Sequence, residues 1–137
     1  MVGISLSIDK LKSKLGIELE PAAYEIEKGM LRRFLQAVDD PNPRWQVVAP
    51  PTFALTISLE QILQLLASSK TLIHGRTELE CYQPVRPGDV LTVGATIANI
   101  RERQGNTGKM AFITINATYK NQRQELVAEC RQMVISY

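Results

Sequence analysis

The sequence predicts an α+β fold in which a curled antiparallel sheet wraps around a central helix. Apolar residues recur at helical spacing in the first half of the chain and alternate at period two through the second. Strand length points the same way. Runs of roughly ten or more residues exceed the ~5 to 6 residue mean, and a strongly twisted sheet of that length wraps whatever covers it. Two helices and about five strands are expected.

Leu31, Phe34, Leu35 and Val38 fall at i, i+3, i+4 and i+7, which predicts a helix from about Lys28 to Val38 with one apolar stripe. Asp39, Asp40, Pro41 and Pro43 end it, because proline cannot continue the hydrogen-bond ladder and biases its predecessor away from helical angles. The following PNPRWQVVAPPT reads as an extended loop. A second helix is expected to start at Ser58, where Ser-Leu-Glu-Gln has the form of a capping box. Ile62, Leu65 and Leu66, widened by Leu59 and Leu63, give it the broad apolar face of a helix covered on most sides. Strand chemistry then runs over about Thr71 to Gln83, Val90 to Arg101, Met110 to Lys120 and Leu126 to Tyr137. Leu91, Val93, Ala95 and Ile97 make the core face of the second run, and Ala111, Ile113, Ile115 and Ala117 that of the third. Pro87-Gly88-Asp89, Gly105 to Gly108 and Asn121 to Gln124 supply turns for strands that neighbour one another in sequence order.

The 137 residues amount to a single domain, 1–137. Sixteen Lys plus Arg against fourteen Asp plus Glu leave +2, mixed along the chain, which speaks against nucleic acid and against an anionic membrane surface as partners. The longest mostly apolar stretch, Val47 to Ile57, is broken by Pro50 and Pro51 and falls far short of the ~18 residues a spanning helix needs. The N-terminal MVGISLSIDKLKSK has no apolar h-region, so a cytoplasmic location is expected. Cys81 and Cys130 lack C-x-x-C spacing and a surrounding histidine cluster, so both are expected as small buried side chains rather than zinc ligands or a redox pair. There is no G-x-S-x-G, Gly-rich phosphate loop or carboxylate cluster with metal spacing, and no metal or cofactor is expected.

The run Tyr24 to Phe34, then Ala37 to Pro43, then Val48-Ala-Pro-Pro-Thr-Phe53 resembles the N-terminal, FAS1-like dehydratase domain of the MaoC-like (R)-specific hydratase/dehydratase family. Leu72-Ile-His-Gly75, Glu78 to Tyr82, Pro84 to Asp89 and Leu126-Val-Ala128 resemble later segments of that family, so the likeness runs from about residue 16 to the C-terminus. The resemblance implies a hot-dog fold, dimerisation, and a tunnel for acyl thioesters of coenzyme A or an acyl carrier. In active members an Asp and a His five residues later, in the pattern D-x-N-P-x-H, orient the water and move the protons. That chemistry needs a general base or acid and donors for the enolate-like thioester oxygen.

Here the pattern falls on Asp40, Pro41, Asn42, Pro43 and Arg44, and Trp45 stands at the histidine position. Indole cannot exchange a proton near neutral pH, so a step that acid–base catalysis speeds by ~10² to 10⁴-fold loses one agent. Asp40 either ends a helix and bonds loop amides or keeps a role near substrate. Trp45 either packs on the domain or dimer surface or fills the space of the missing imidazole. The three residues between Trp45 and Ala49 leave little room for the overhanging segment of the full enzymes. His74 is the one histidine and the sole candidate to rescue the chemistry. Asn42, Trp45, Pro51, Thr52, Phe53 and Ser58 are the candidate substrate contacts, with the Ser58 helix start offering free amides. Arg32, Arg33, Arg44 and Arg86 are candidates for pairing with coenzyme A phosphates or a carrier's acidic helix.

These readings lead to the non-catalytic half of a two-chain hydratase or dehydratase, paired with an active MaoC-like subunit. The alternatives are a homodimeric acyl-thioester binder without turnover, and a homodimeric hydratase using Asp40 and His74.

Overall fold

The computed structural model describes residues 9–57, 66, 71–106 and 108–137. Its five strands, β1 (Ala22–Glu25), β2 (Leu72–Cys81), β3 (Val90–Gly105), β4 (Gly108–Lys120) and β5 (Leu126–Ser136), form one antiparallel sheet. Their order is β1-β3-β4-β5-β2. Only β3, β4 and β5 follow one another as neighbours. The expectation of a sequential meander therefore fails at β2, which crosses to the far edge and pairs with β5, leaving β3 flanked by β1. Pro87-Gly88-Asp89 belongs to that crossover rather than to a hairpin. Gly88 sits at φ +94, where glycine avoids the Cβ penalty, and its N–H bonds the Ile26 carbonyl at 2.7 Å beside β1.

The predicted core faces lie inward. Leu91, Val93, Ala95 and Ile97 of β3 and Ala111, Ile113, Ile115 and Ala117 of β4 are all at 4% exposure or less, and Ala95 pairs with Ala117 and Ile97 with Ile115 across the ladder. A register shift between Ile97 and Asn99 inserts one residue, so Ile100 pairs with Ile113 and the apolar pattern moves from odd to even positions. Each fully buried Val, Leu or Ile among them stabilises by about 1.5–3 kcal/mol. At the turn after β4, buried Asn121 accepts the Arg123 and Glu125 amides at 2.9 and 3.1 Å through Oδ1 and donates to Glu125 Oε1 at 3.0 Å. Its polar atoms are thereby satisfied away from water.

Helix α1 (Lys28–Val38) matches its predicted bounds but not its predicted depth. Leu31 is buried and Phe34 and Leu35 pack on the core, whereas Val38, in the last turn, is 52% exposed. Phe53, Ala54, Ile57 and Leu66 are buried in the same core. Pro51–Phe53 forms a 3-10 turn that runs into α2 (Ala54–Ile57), because Pro51 occupies the first helical position, where its missing N–H costs nothing. Ser58 and the capping box lie outside the described residues. Cys130 is buried as expected, and Cys81, at the end of edge strand β2, is exposed, because among the described residues no strand pairs with β2 on its far side. Among the described residues no helix is long and apolar enough to cross a membrane.

Candidate functional site

The site grows out of the way α1 stops. Asp39 takes the left-handed conformation (φ 52, ψ 48), its N–H bonds the Gln36 and Leu35 carbonyls, and the Asp40 N–H then reaches the Leu35 carbonyl at 3.2 Å. Aspartate is among the few residues with a side chain that tolerate this geometry. The turn aims the half-buried Asp40 carboxylate at the following loop. Its Oδ1 accepts the Asn42 backbone N–H at 3.0 Å, a local turn typical of aspartate before proline. Its Oδ2 accepts the Trp45 indole Nε1–H at 2.8 Å.

Asn42 makes that second bond possible. Its Oδ1 accepts the Arg44 N–H at 3.1 Å and so caps a 3-10 turn, Pro43–Gln46, which carries Trp45 back over Asp40. The Trp45 N–H bonds the Asn42 carbonyl at 3.1 Å, and the Arg44 guanidinium lies 5.4 Å from the indole centroid. Bonds of this charge-assisted kind contribute about 1.5–3 kcal/mol. Both carboxylate oxygens are thus engaged, one by backbone and one by indole. Indole donates and cannot accept, so it orients Asp40 without taking or giving a proton.

Two cavities meet this constellation. The first, about 400 Å³, has Lys28, Arg32, Asp40, Asn42, Trp45 and Gln46 in its wall, with Leu31 and Leu35 behind them. The second, about 370 Å³, is walled mainly by Ala49, Pro50, Pro51, Val85, Val127 and Ala128. Arg44, Trp45, Cys81 and Tyr82 also border it.

Of the predicted substrate contacts, Asn42 and Trp45 border the first cavity, and Trp45 and Pro51 the second. Thr52 is exposed and borders neither, and Phe53 packs edge-on against Phe34 in the core, centroids 5.4 Å apart. Ser58 lies outside the described residues. His74 is exposed on β2, where its Nε2 sits 2.5 Å from Thr77 Oγ1, and it borders neither cavity. Within one chain, then, Asp40 and His74 are not brought together. Arg32 borders the Asp40 cavity and Arg44 the apolar one, while Arg33 donates to the Gly29 carbonyl at 3.3 Å and the Arg86 amide to Asp89 Oδ2 at 2.8 Å.

Sequence reasoning missed Lys28, although its place four residues before Arg32 puts both on one face of α1. It also missed a cluster at the β2–β5 edge. The Tyr82 hydroxyl donates to Glu80 Oε2 at 2.5 Å and lies 3.3 Å from Glu129 Oε2. The Glu80 hydrogen bond, then desolvation and the Glu129 charge, push the phenol up to about 12. The Glu80–Glu129 pairing exists only because β2 lies beside β5, the neighbour the local turn signals did not reveal.

The model of the FAS1-like, dehydratase domain region family matches residues 13–130. A UPF0336 protein of Thermobifida fusca is 31% identical over 104 residues, 63% of this chain and 68% of that protein. Among solved structures, the C-terminally truncated HadBC complex of Mycobacterium tuberculosis, a 3R-hydroxyacyl-ACP dehydratase, superposes with a TM-score of 0.76 at 20% identity, over 90% of this chain and 97% of that one. The MaoC-like dehydratase of Rhodospirillum rubrum gives 0.66 at 23%, over 90% and 92%. The five-stranded antiparallel sheet of order β1-β3-β4-β5-β2 is accordingly a hot-dog fold, and the chain belongs to the FAS1-like dehydratase domain region family.

Proposed function

We propose that this chain is the non-catalytic half of a two-chain hydratase or dehydratase, acting in the cytoplasm. It holds an acyl thioester, on coenzyme A or an acyl carrier, while a MaoC-like partner supplies the acid–base pair. The observation that carries the reading is the Trp45 Nε1–H to Asp40 Oδ2 bond at 2.8 Å. An aspartate in the family's motif position is kept and oriented, yet the group it orients cannot shuttle a proton. Asp40 and Asn42 serve here as positioning residues, and Lys28 and Arg32 supply positive charge beside them. Among the described residues no strand pairs with the outer edge of β2, where Ile73 is exposed, and this edge offers a second hot-dog chain a strand to pair with. HadBC, the structural neighbour described above, is itself a complex.

Expression of the tagged chain with a MaoC-like chain carrying an intact D-x-N-P-x-H, followed by native mass spectrometry and an enoyl-thioester hydration assay, tests this. A mixed dimer that is active, and loses activity when the partner's His is replaced, is expected. Recovery of only self-paired chains with bound acyl ligand contradicts it and favours the second reading, a homodimeric acyl-thioester binder. That second reading draws on the fact that Asp40, Trp45 and both cavities are assembled within one chain.

A further inference from the structure

Among the described residues, Trp45 is the one shared by the walls of the two cavities. Both cavities expose mostly apolar surface, and they differ in the side chains that border them. One carries Lys28, Arg32, Asp40 and Asn42, and the other is dominated by proline, alanine and valine side chains. The 3-10 turn that carries Trp45 sends its residues to opposite sides, with Gln46 bordering the charged chamber and Arg44 the apolar one.

We propose that Trp45 is a specificity-determining residue, an indole partition between a chamber bordered by Lys28, Arg32 and Asp40 and a chamber bordered mainly by proline, alanine and valine, and that it limits the length of acyl chain the protein accepts. The inference rests on the acyl-thioester reading above and adds to it the element that sets the substrate's size. The partition is a fixed wall. The indole N–H is tied to Asp40 Oδ2 at 2.8 Å, the backbone N–H to the Asn42 carbonyl at 3.1 Å, and Arg44 covers the ring at 5.4 Å. Each chamber alone sits near the lower end of the ~300–1,000 Å³ range of small-molecule sites. Joined, they accommodate a thioester head beside Lys28 and Arg32 with its chain running under Pro50 and Pro51. With the indole in place, a chain entering from the charged side stops at the ring after a few carbons.

Isothermal titration of butyryl-, octanoyl- and dodecanoyl-CoA against the wild type, Trp45→Phe and Trp45→Ala tests the partition. Trp45→Phe keeps an aromatic wall while losing the Asp40 bond, and it controls for folding. The wild type and Trp45→Phe are expected to favour butyryl-CoA. Trp45→Ala is expected to shift preference toward octanoyl-CoA by at least about tenfold, since each further buried methylene adds favourable transfer free energy. An unchanged length ranking in a folded Trp45→Ala overturns the partition and leaves the acyl-thioester reading standing. Absence of binding by any thioester to any of the three proteins overturns both.

Discussion

At the scale of single residues, the Asp40–Trp45 bond sets the geometry of the candidate site. Asp40→Ala removes the acceptor of both the indole N–H and the Asn42 amide, and the expected cost is about 1–3 kcal/mol. A urea midpoint that falls with an unchanged slope shows this, and an unmoved midpoint shows that the bond contributes nothing. Tyr82 offers an independent check. The folded chain holds this phenol protonated up to about 12, chiefly through Glu80, whereas an unfolded tyrosine ionises near about 10. Between those values the folded protein binds more protons than the unfolded chain. Its contribution to stability is therefore present below the ordinary value and lost as pH rises through the raised one. Tyr82→Phe flattens that part of the stability–pH curve, and Glu80→Gln brings the phenolate absorbance transition down. A transition that stays put in Glu80→Gln contradicts the assignment.

At the scale of elements, burial ranks the expected costs. Ile115→Ala, at 1% exposure, and Leu31→Ala, at 4%, should each cost ~2 to 5 kcal/mol, whereas Val38→Ala, at 52%, should stay within ~0.5 kcal/mol. Equal midpoint shifts for Leu31→Ala and Val38→Ala refute the orientation of α1. The bounds of α1 and the inward faces of β3 and β4 were legible because periodicity over four or more apolar residues is a local property. The four-residue β1 is too short to show a period, and the place of β2 depends on a long-range pairing that turn residues do not encode. The 82–89 segment reads as turn chemistry whether its strands pair or cross over. The helical turn at Ala54–Ile57 was not anticipated for a local reason, since its entry is set by a proline start at Pro51, in a stretch that reads as extended loop. Asp40 and Trp45 stood out through the motif resemblance, but their hydrogen bond did not. It needs a left-handed Asp39 and an Asn42-capped 3-10 turn acting together.

For the whole molecule, a net charge of +2 hides local order, because Lys28 and Arg32 lie together beside Asp40. If they steer a thioester's phosphates or an acidic carrier, affinity falls as ionic strength rises. A salt-independent affinity removes them from recognition. The larger claim is that the hot-dog scaffold is intact while its proton shuttle is replaced by a donor fixed on the surviving aspartate. Its most direct test is hydration of crotonyl-CoA by the purified chain alone, beside Trp45→His, which restores the imidazole to the family's position. The account predicts no turnover above the uncatalysed rate for the wild type and a measurable rate for Trp45→His. Wild-type turnover comparable with ordinary family members, abolished by Asp40→Ala, contradicts it.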